Sequence, residues 1–185
     1  GGARTLANAV LSVGNIPIEG AHDLLLTGPW TLFGKTALIV QNRTMVAGAI
    51  GESGGAQRLV KQGPGTLVLA GANNFTGGFL VEGGRLELRH AHAAGAGLLV
   101  VDAATLVVGG IADTVESGST GLSSNTVTLA RLGPPRSNPL LRANGVLGLS
   151  GRLDVQAEPG FGPGLHRLME HTGTHIDALC HQACD

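Results

Sequence analysis

Three side chains near the carboxyl end have the types and spacing of a metal site. The segment from residue 171 to 181 reads HTGTHIDALCH, with His171 and His175 four residues apart and Asp177 two residues further on. Two imidazoles and a carboxylate at this spacing can converge on a divalent cation such as Zn²⁺ or Mn²⁺. A bound cation lowers the pKa of a coordinated water and generates a hydroxide nucleophile. The chemistry that this set supports is metal-assisted hydrolysis.

The same segment resembles the metal-site signature of the cyclase family of hydrolases, which includes kynurenine formamidase. That signature is His-x-Gly-Thr-His-x-Asp-x-Pro-x-His, and Leu179 stands here where the family has proline. The resemblance implies that His171, His175 and Asp177 are metal ligands and that His181 is the general acid/base. Because the family's scaffold and later ligands lie downstream of the signature, we expect weak metal binding without catalysis, from a fusion remnant or terminal extension.

Three other patterns resemble chemical sites but favour structural explanations. Residues 28–36 end like a phosphate-binding loop, but Pro29 stands where that loop requires glycine. Ser53 lies in the sequence GESGG, as a protease nucleophile does, yet nothing supplies the scaffold that would bring a histidine base to it. His90 and His92 have no acidic residue or cysteine close by in sequence, so they are expected to be exposed loop histidines.

A repeat of about twenty residues dominates the rest of the chain and must position any site. Its units share a short apolar pattern and occur at residues 65–69, 84–88, 104–108, 125–129 and 145–149. Their central residues, 67, 86, 106, 127 and 147, are separated by 19, 20, 21 and 20 positions. A lone strand of this length cannot bury its apolar face, so stacked coils with glycine-rich corners are expected. A hairpin architecture would need two-residue turns, whereas a polar segment and a second short strand separate these units. The sequence therefore predicts an all-β parallel β-helix with one interior ladder: Leu67, Leu86, Leu106, Val127 and Leu147.

Part of the repeat carries a second resemblance. Residues 60–78, VKQGPGTLVLAGANNFTGG, and residues 81–86, VEGGRL, resemble the passenger-associated repeat of bacterial autotransporters. Residues 45–51 resemble the segment that often precedes it, and the likeness extends more weakly over residues 5–160. The resemblance implies a right-handed parallel β-helix that is secreted and displayed at a bacterial surface, attached to the outer membrane. It implies no activity, because such helices are mostly scaffolds and adhesive surfaces.

Composition narrows the range of partners. The 185 residues include 31 glycines, and 43% are hydrophobic but only 3% aromatic, which suits a thin aliphatic core. A net charge of −1 offers no basic field for a nucleic acid. Apolar runs are shorter than the roughly 18 residues of a membrane-spanning helix, and no signal peptide opens the sequence. Both cysteines, Cys180 and Cys184, lie near the carboxyl end, as suits a protein that is exported unfolded.

These observations divide the chain into a solenoid over residues 1–164 and an irregular, histidine-rich tail over residues 165–185. Within the solenoid, Trp30 is expected to pack on an adjacent coil. Residues 109–124 are expected to form an extended loop that carries a binding surface. The pattern starts and stops within a coil, so the sequence reads as a fragment whose uncapped ends favour self-association.

The leading functional hypothesis is a structural or adhesive surface scaffold without catalysis of its own, whose partners are host or surface ligands. One alternative is a fragment of a metal-dependent, cyclase-type amide or ester hydrolase, which only the tail supports. A second alternative is a carbohydrate-active β-helix. In that case acids one period apart, such as Glu82 and Asp102, would converge in a cleft.

Overall fold

The computed structural model describes residues 3–173 and 176–177 of the chain. All regular elements in this part of the chain are β-strands, and all of their pairings are parallel. Successive coils stack in register as a β-solenoid of about seven turns with a period near 22 residues. This confirms the predicted all-β parallel β-helix.

The stacked strands form three sheets. Sheet A contains, in stacking order, β1 (Arg4–Leu6), β3 (Leu24–Leu26), β5 (Arg43–Val46), β8 (Thr66–Leu69), β10 (Arg85–Leu88), β12 (Thr105–Gly109), β15 (Val127–Leu132) and β18 (Arg152–Ala157). Sheet B contains β2 (Val10–Ile18), β4 (Trp30–Val40), β7 (Leu59–Gln62), β9 (Phe79–Val81), β11 (Leu98–Val101), β14 (Ser119–Leu122), β17 (Leu147–Gly148) and β20 (Ile176–Asp177), with β6 (Ile50–Glu52) also paired to β4. Sheet C contains β13 (Val115–Ser117), β16 (Leu141–Ala143) and β19 (Met169–His171).

The prediction of one interior ladder is correct for its first three members, which lie in sheet A, and wrong for its last two. The correct members share one register position and are fully buried: Leu67, Leu86 and Leu106. The next coil places Thr128 in this column, so Val127 lies one position away and belongs to the outer face. Leu147 lies in sheet B, opposite Thr120. The period lengthens because the later coils add the strands of sheet C, which the repeat pattern of the earlier coils does not contain.

The core lies between the inner faces of the sheets and is almost entirely aliphatic. Its few aromatic members include Phe75 and Phe79, whose rings meet edge to face with centroids 6.1 Å apart. Trp30 is also buried and donates a 2.7 Å hydrogen bond from Nε1 to the Ser12 hydroxyl on the adjacent coil. The predicted packing of Trp30 on a neighbouring coil is therefore confirmed. Each such side chain contributes roughly 1.5–3 kcal/mol through burial, and the columns continue from coil to coil.

Residues 109–124 were expected to form an extended loop, and this expectation is wrong. The segment contains β13 and β14, in which Val115 and Ser117 point inward and are buried. The segment is folded because β13 pairs with β16, one coil later. Two strands also follow residue 164, since β19 pairs with β16 and β20 pairs with β17. None of the described residues forms a helix with the length and hydrophobicity needed to cross a lipid bilayer.

Candidate functional surface

The outer face of sheet A carries a cluster of charged residues around one buried acid. Glu87 occupies the same outer column as Val68 and Val107, and its side chain is only 8% exposed. Arg89 approaches it most closely, donating hydrogen bonds of 3.2 Å from Nε and 2.8 Å from Nη2 to Oε2. Arg43 and Arg131 form longer ion pairs with the same carboxylate, each at 3.9 Å. We call Arg43, Glu87, Arg89 and Arg131 the arginine cluster.

Two glycines explain how Arg131 reaches a carboxylate two strands away. In sheet A, Gly109 is the direct partner of Arg131 on the preceding coil. Gly109 and Gly110 have φ values of +94° and +73°, a region that favours glycine, and neither presents a side chain. A Cβ built at Gly110 would lie 3.6 Å from Cδ of Arg131. The Arg131 side chain therefore lies across the gap that the two glycines leave on the surface.

A pocket of about 450 Å³ opens beside the arginine cluster, and we call it the arginine pocket. Its lining includes Gly110, Ile111, Arg131, Gly133, Pro134, Pro135, Arg136, Glu158 and Pro159. Arg136 is held in place by carbonyl groups, because its guanidinium donates to five backbone oxygens at 2.9–3.3 Å. Glu158 is the single carboxylate in the lining and lies 3.7 Å from Nε of Arg131.

A second unusual group lies at a corner inside the solenoid. Lys61 is fully buried in a sheet B column between Leu38 and Val81. Its Nζ donates 2.9 Å hydrogen bonds to the carbonyl oxygens of Gly63 and Gly83, which belong to successive coils. Burial lowers the pKa of Lys61 from 10.5 to about 8. The amine therefore joins two corners and is shielded from any external ligand.

The GESGG segment around Ser53 also forms a corner. Its Glu52 accepts hydrogen bonds from the backbone amides of Gln57 and Thr76 at 2.7 and 3.0 Å, and from the Thr76 hydroxyl at 2.6 Å. Burial acts to raise the pKa of Glu52, but these hydrogen bonds together outweigh it, so the pKa is lowered. Ser53 contributes its carbonyl oxygen to Gln57. These hydrogen bonds hold the corner in place, and none of them pairs the Ser53 hydroxyl with a base.

The predicted metal ligands lie at the end of the described chain. His171 lies on β19 opposite Ala143, and its buried Nδ1 has no hydrogen-bond partner among the described residues. Asp177 lies on β20 of sheet B, so the backbone places it on a different sheet from His171. His175 and His181 lie outside the described residues. Within the part that the structure describes, no group of three or more His, Cys, Asp or Glu side chains is arranged to hold a metal ion.

The remaining pairs singled out in the sequence are engaged in local contacts. His90 and His92 have ring centroids 5.9 Å apart, and Nδ1 of His90 accepts a 3.1 Å hydrogen bond from the backbone amide of His92. Glu82 accepts a 2.7 Å hydrogen bond from Gln62, and Asp102 accepts one of 2.5 Å from the hydroxyl of Ser123. Each acid is thus bonded to a side chain of a neighbouring coil.

The arginine cluster and the arginine pocket were missed by the sequence analysis. Part of the cluster could have been found from two signals together, the repeat period and the alternation of inward and outward residues along a strand. Glu87 lies between the inward Leu86 and Leu88 and must therefore face outward. Nothing in the sequence indicates that Arg131 reaches the same place, because the later coils depart from the period of twenty.

Comparison with known proteins identifies the central repeat. Residues 59–88 match the model of a family described as Passenger-associated-transport-repeat. A curated protein of Brucella suis biovar 1 (strain 1330), called Adhesin BmaC autotransporter, is 43% identical over 63 residues. That alignment covers 33% of this chain and 2% of the adhesin, so the chain corresponds to a small part of its relative. No solved structure matches the chain significantly. Residues 59–88 are thus similar to a passenger-associated-transport repeat, and they lie within a parallel β-solenoid.

Proposed function

We propose that this chain is a structural and adhesive segment of a protein displayed at a bacterial surface, and that it has no catalytic activity of its own. The observation that carries the proposal is the passenger repeat at residues 59–88 within a solenoid that stacks without interruption on both sides of it. The partial similarity to an autotransporter adhesin supports export and surface display. The partners are host or surface ligands.

The arrangement of side chains supports a scaffold that presents its outer face. Apolar columns and corner hydrogen bonds hold the interior, whereas the charged groups of sheet A lie outside, where they can meet a ligand. The lining of the arginine pocket includes two arginines and one carboxylate, that of Glu158. A glycoside hydrolase uses a pair of carboxyl groups, so this lining favours binding over hydrolysis of a glycosidic bond.

A binding assay tests the adhesive role. Beads coated with the folded chain should adhere to cultured mammalian cells or to immobilised matrix proteins in proportion to the coating density. Beads coated with a Leu86→Asp variant, which buries a charge in the core, should adhere no better than albumin-coated beads. Equal adhesion by the folded chain and by albumin would refute an adhesive role and leave a structural one. Antibody labelling of intact bacteria that express the parent protein tests surface display directly.

We also propose that the tail binds a divalent cation weakly through His171, His175 and Asp177, with zinc or manganese as fitting ions. The spacing of these ligand types supports the proposal, as does Nδ1 of His171, which has no hydrogen-bond partner in the described part of the chain. Calorimetry with zinc should show weak binding that is lost in a double variant with His171→Ala and His175→Ala. N-formyl amides should be hydrolysed only at background rates. Tight metal binding with turnover that His181→Ala abolishes would instead establish the hydrolase.

A further inference from the structure

The surface around Arg131 is positive, although the chain as a whole is slightly negative. The arginine cluster combines three guanidinium groups with one carboxylate, and the arginine pocket adds Arg136 and Glu158. Four cations therefore face two anions, a local formal charge of +2, against a net charge of −1 for the whole sequence. A positive patch that borders a pocket favours an anionic ligand.

Arg131 has donors available for such a ligand. Its Nε is buried and has no hydrogen-bond partner among the described residues, and Arg131 contributes to the lining of the pocket. The nearest carboxylates, from Glu158 and Glu87, lie 3.7 and 3.9 Å from its guanidinium nitrogens, which is beyond hydrogen-bond distance. A donor that is left unbonded costs free energy, and an oxyanion that reaches the guanidinium, whose side chain is 22% exposed, would lower that cost. The planar guanidinium is suited to holding two oxygens of a carboxylate or sulfate at once.

The other walls of the pocket are apolar and rigid. Pro134, Pro135 and Pro159 are exposed at its edge, and Ile111 lies partly exposed among them. Proline rings present flat CH surfaces with fixed backbone geometry, so they lose little entropy on binding. Arg136 adds charge and stays fixed by its carbonyl partners. The volume of about 450 Å³ lies within the range of small-molecule sites, about 300–1,000 Å³.

We propose that the arginine pocket binds a sugar ring that carries a carboxylate or sulfate group. The oxyanion lies on the guanidinium of Arg131, and the CH face of the ring packs on the prolines. This inference names a ligand class for the adhesive role proposed above and rests on it. A uronic acid and a sulfated sugar offer the same chemistry to Arg131, so the test includes both.

The test is a titration of the full chain, followed by NMR or calorimetry, with glucuronate, glucose 6-sulfate, glucose and inorganic sulfate. At least one acidic sugar should bind saturably, whereas glucose and inorganic sulfate should bind at least about tenfold more weakly. Arg131→Met and Arg131→Lys should each lower the affinity by at least about tenfold, because lysine keeps the charge but not the planar fork. Arg152→Met is the matched control, since Arg152 is 70% exposed on the neighbouring strand and pairs with Asp154.

A second variant separates loss of the site from loss of the fold. Ala112→Phe places a ring at the exposed edge of the pocket and leaves Arg131 unchanged, so it should block the sugar while keeping the thermal midpoint of the parent. Unchanged affinity in either Arg131 variant, or equal affinity for sulfate and for the acidic sugars, would overturn the proposal. If Arg131→Met abolishes sugar binding while coated beads still adhere to cells, the sugar is not the adhesive ligand, although adhesion itself stands. If sugar binding is absent and beads still adhere, only this inference fails.

Discussion

The buried amine of Lys61 should make the stability of the solenoid rise with pH in a window where few other groups titrate. Lys61 lies between Leu38 and Val81 in an interior column, and Nζ reaches the carbonyl oxygens of Gly63 and Gly83. A neutral amine has two N–H donors, which matches these two acceptors, whereas the ammonium has a third. Burial removes the ammonium from water, which disfavours the charged form and lowers the pKa of Lys61 to about 8.

The sign and size of the effect follow from proton linkage. In the unfolded chain Lys61 keeps its usual pKa of 10.5, so between pH 8 and pH 10.5 the unfolded chain holds a proton that the folded chain has released. The free energy of unfolding then rises with pH by up to about 1.4 kcal/mol per pH unit. The gain reaches roughly 3 kcal/mol by pH 10.5 and is absent below pH 8, where both states carry the proton.

Urea unfolding followed by the fluorescence of Trp30, the single and buried tryptophan, provides the assay. The chain has no tyrosine and one other lysine, Lys35, which is exposed. Thiols also titrate in this window, but Cys180 and Cys184 are common to the parent chain and to the lysine variants, so the comparison isolates Lys61. Lys61→Met should remove the rise in stability, and Lys35→Met should leave it unchanged. The reasoning fails if the stability of the parent chain does not increase between pH 8 and pH 10.5, or if the increase survives in Lys61→Met.

Three further predictions concern the packing of coils. Gly84→Ala should lower the free energy of unfolding by more than about 1 kcal/mol, because Gly84 has a φ of +66° and a new Cβ would lie 2.5 Å from the carbonyl oxygen of Gly63. Gly83→Ala is the control and should change the unfolding free energy little, since its Cβ would meet nothing closer than 3.7 Å. Leu86→Asp should lower the free energy of unfolding, measured by heat or urea, by about 3–5 kcal/mol, because it places an unpaired charge in a fully buried column. A variant as stable as the parent would show that the column is hydrated. The isolated chain should associate at high concentration through the apolar side chains that β18 leaves exposed at the last coil, and light scattering that reports a monomer at all concentrations would contradict this.

The period and the alternation of residues were sufficient to predict the solenoid and its central coils. Leu67, Leu86 and Leu106 stack as expected because the coils that contain them have nearly equal lengths, 19 and 20 residues. The prediction fails beyond Leu106, where the step to Thr128 is 22 residues and the next step, to Leu153, is 25. Residues 145–149 resemble the repeat in sequence, but Leu147 and Gly148 pair in sheet B.

The candidate surface was less predictable than the fold for a physical reason. The outward position of Glu87 follows from simple alternation, but its burial depends on the long side chains of Arg43, Arg89 and Arg131 that close over it. Those residues come from different coils, and their meeting requires the correct register of every coil between them. Lys61 shares this property, because its partners Gly63 and Gly83 belong to two coils.

The arginine cluster also shows why a stack of coils can make a site that no single coil contains. Arg43, Glu87 and Arg131 lie on β5, β10 and β15, and one strand separates each pair, β8 in the first case and β12 in the second. Strands in a sheet are about 4.8 Å apart, so each arginine spans about 10 Å to reach the shared carboxylate, which only a long side chain can do. A coil that loses its register moves Arg43 or Arg131 away from Glu87, which then keeps Arg89 of its own coil as a partner. Because Arg43 and Arg131 are partly exposed and 3.9 Å away, the loss of either pair should cost about 1 kcal/mol or less. The outer charges are therefore coupled to the stacking of the core, and the surface proposed to bind a ligand exists only while at least five successive coils are stacked in register.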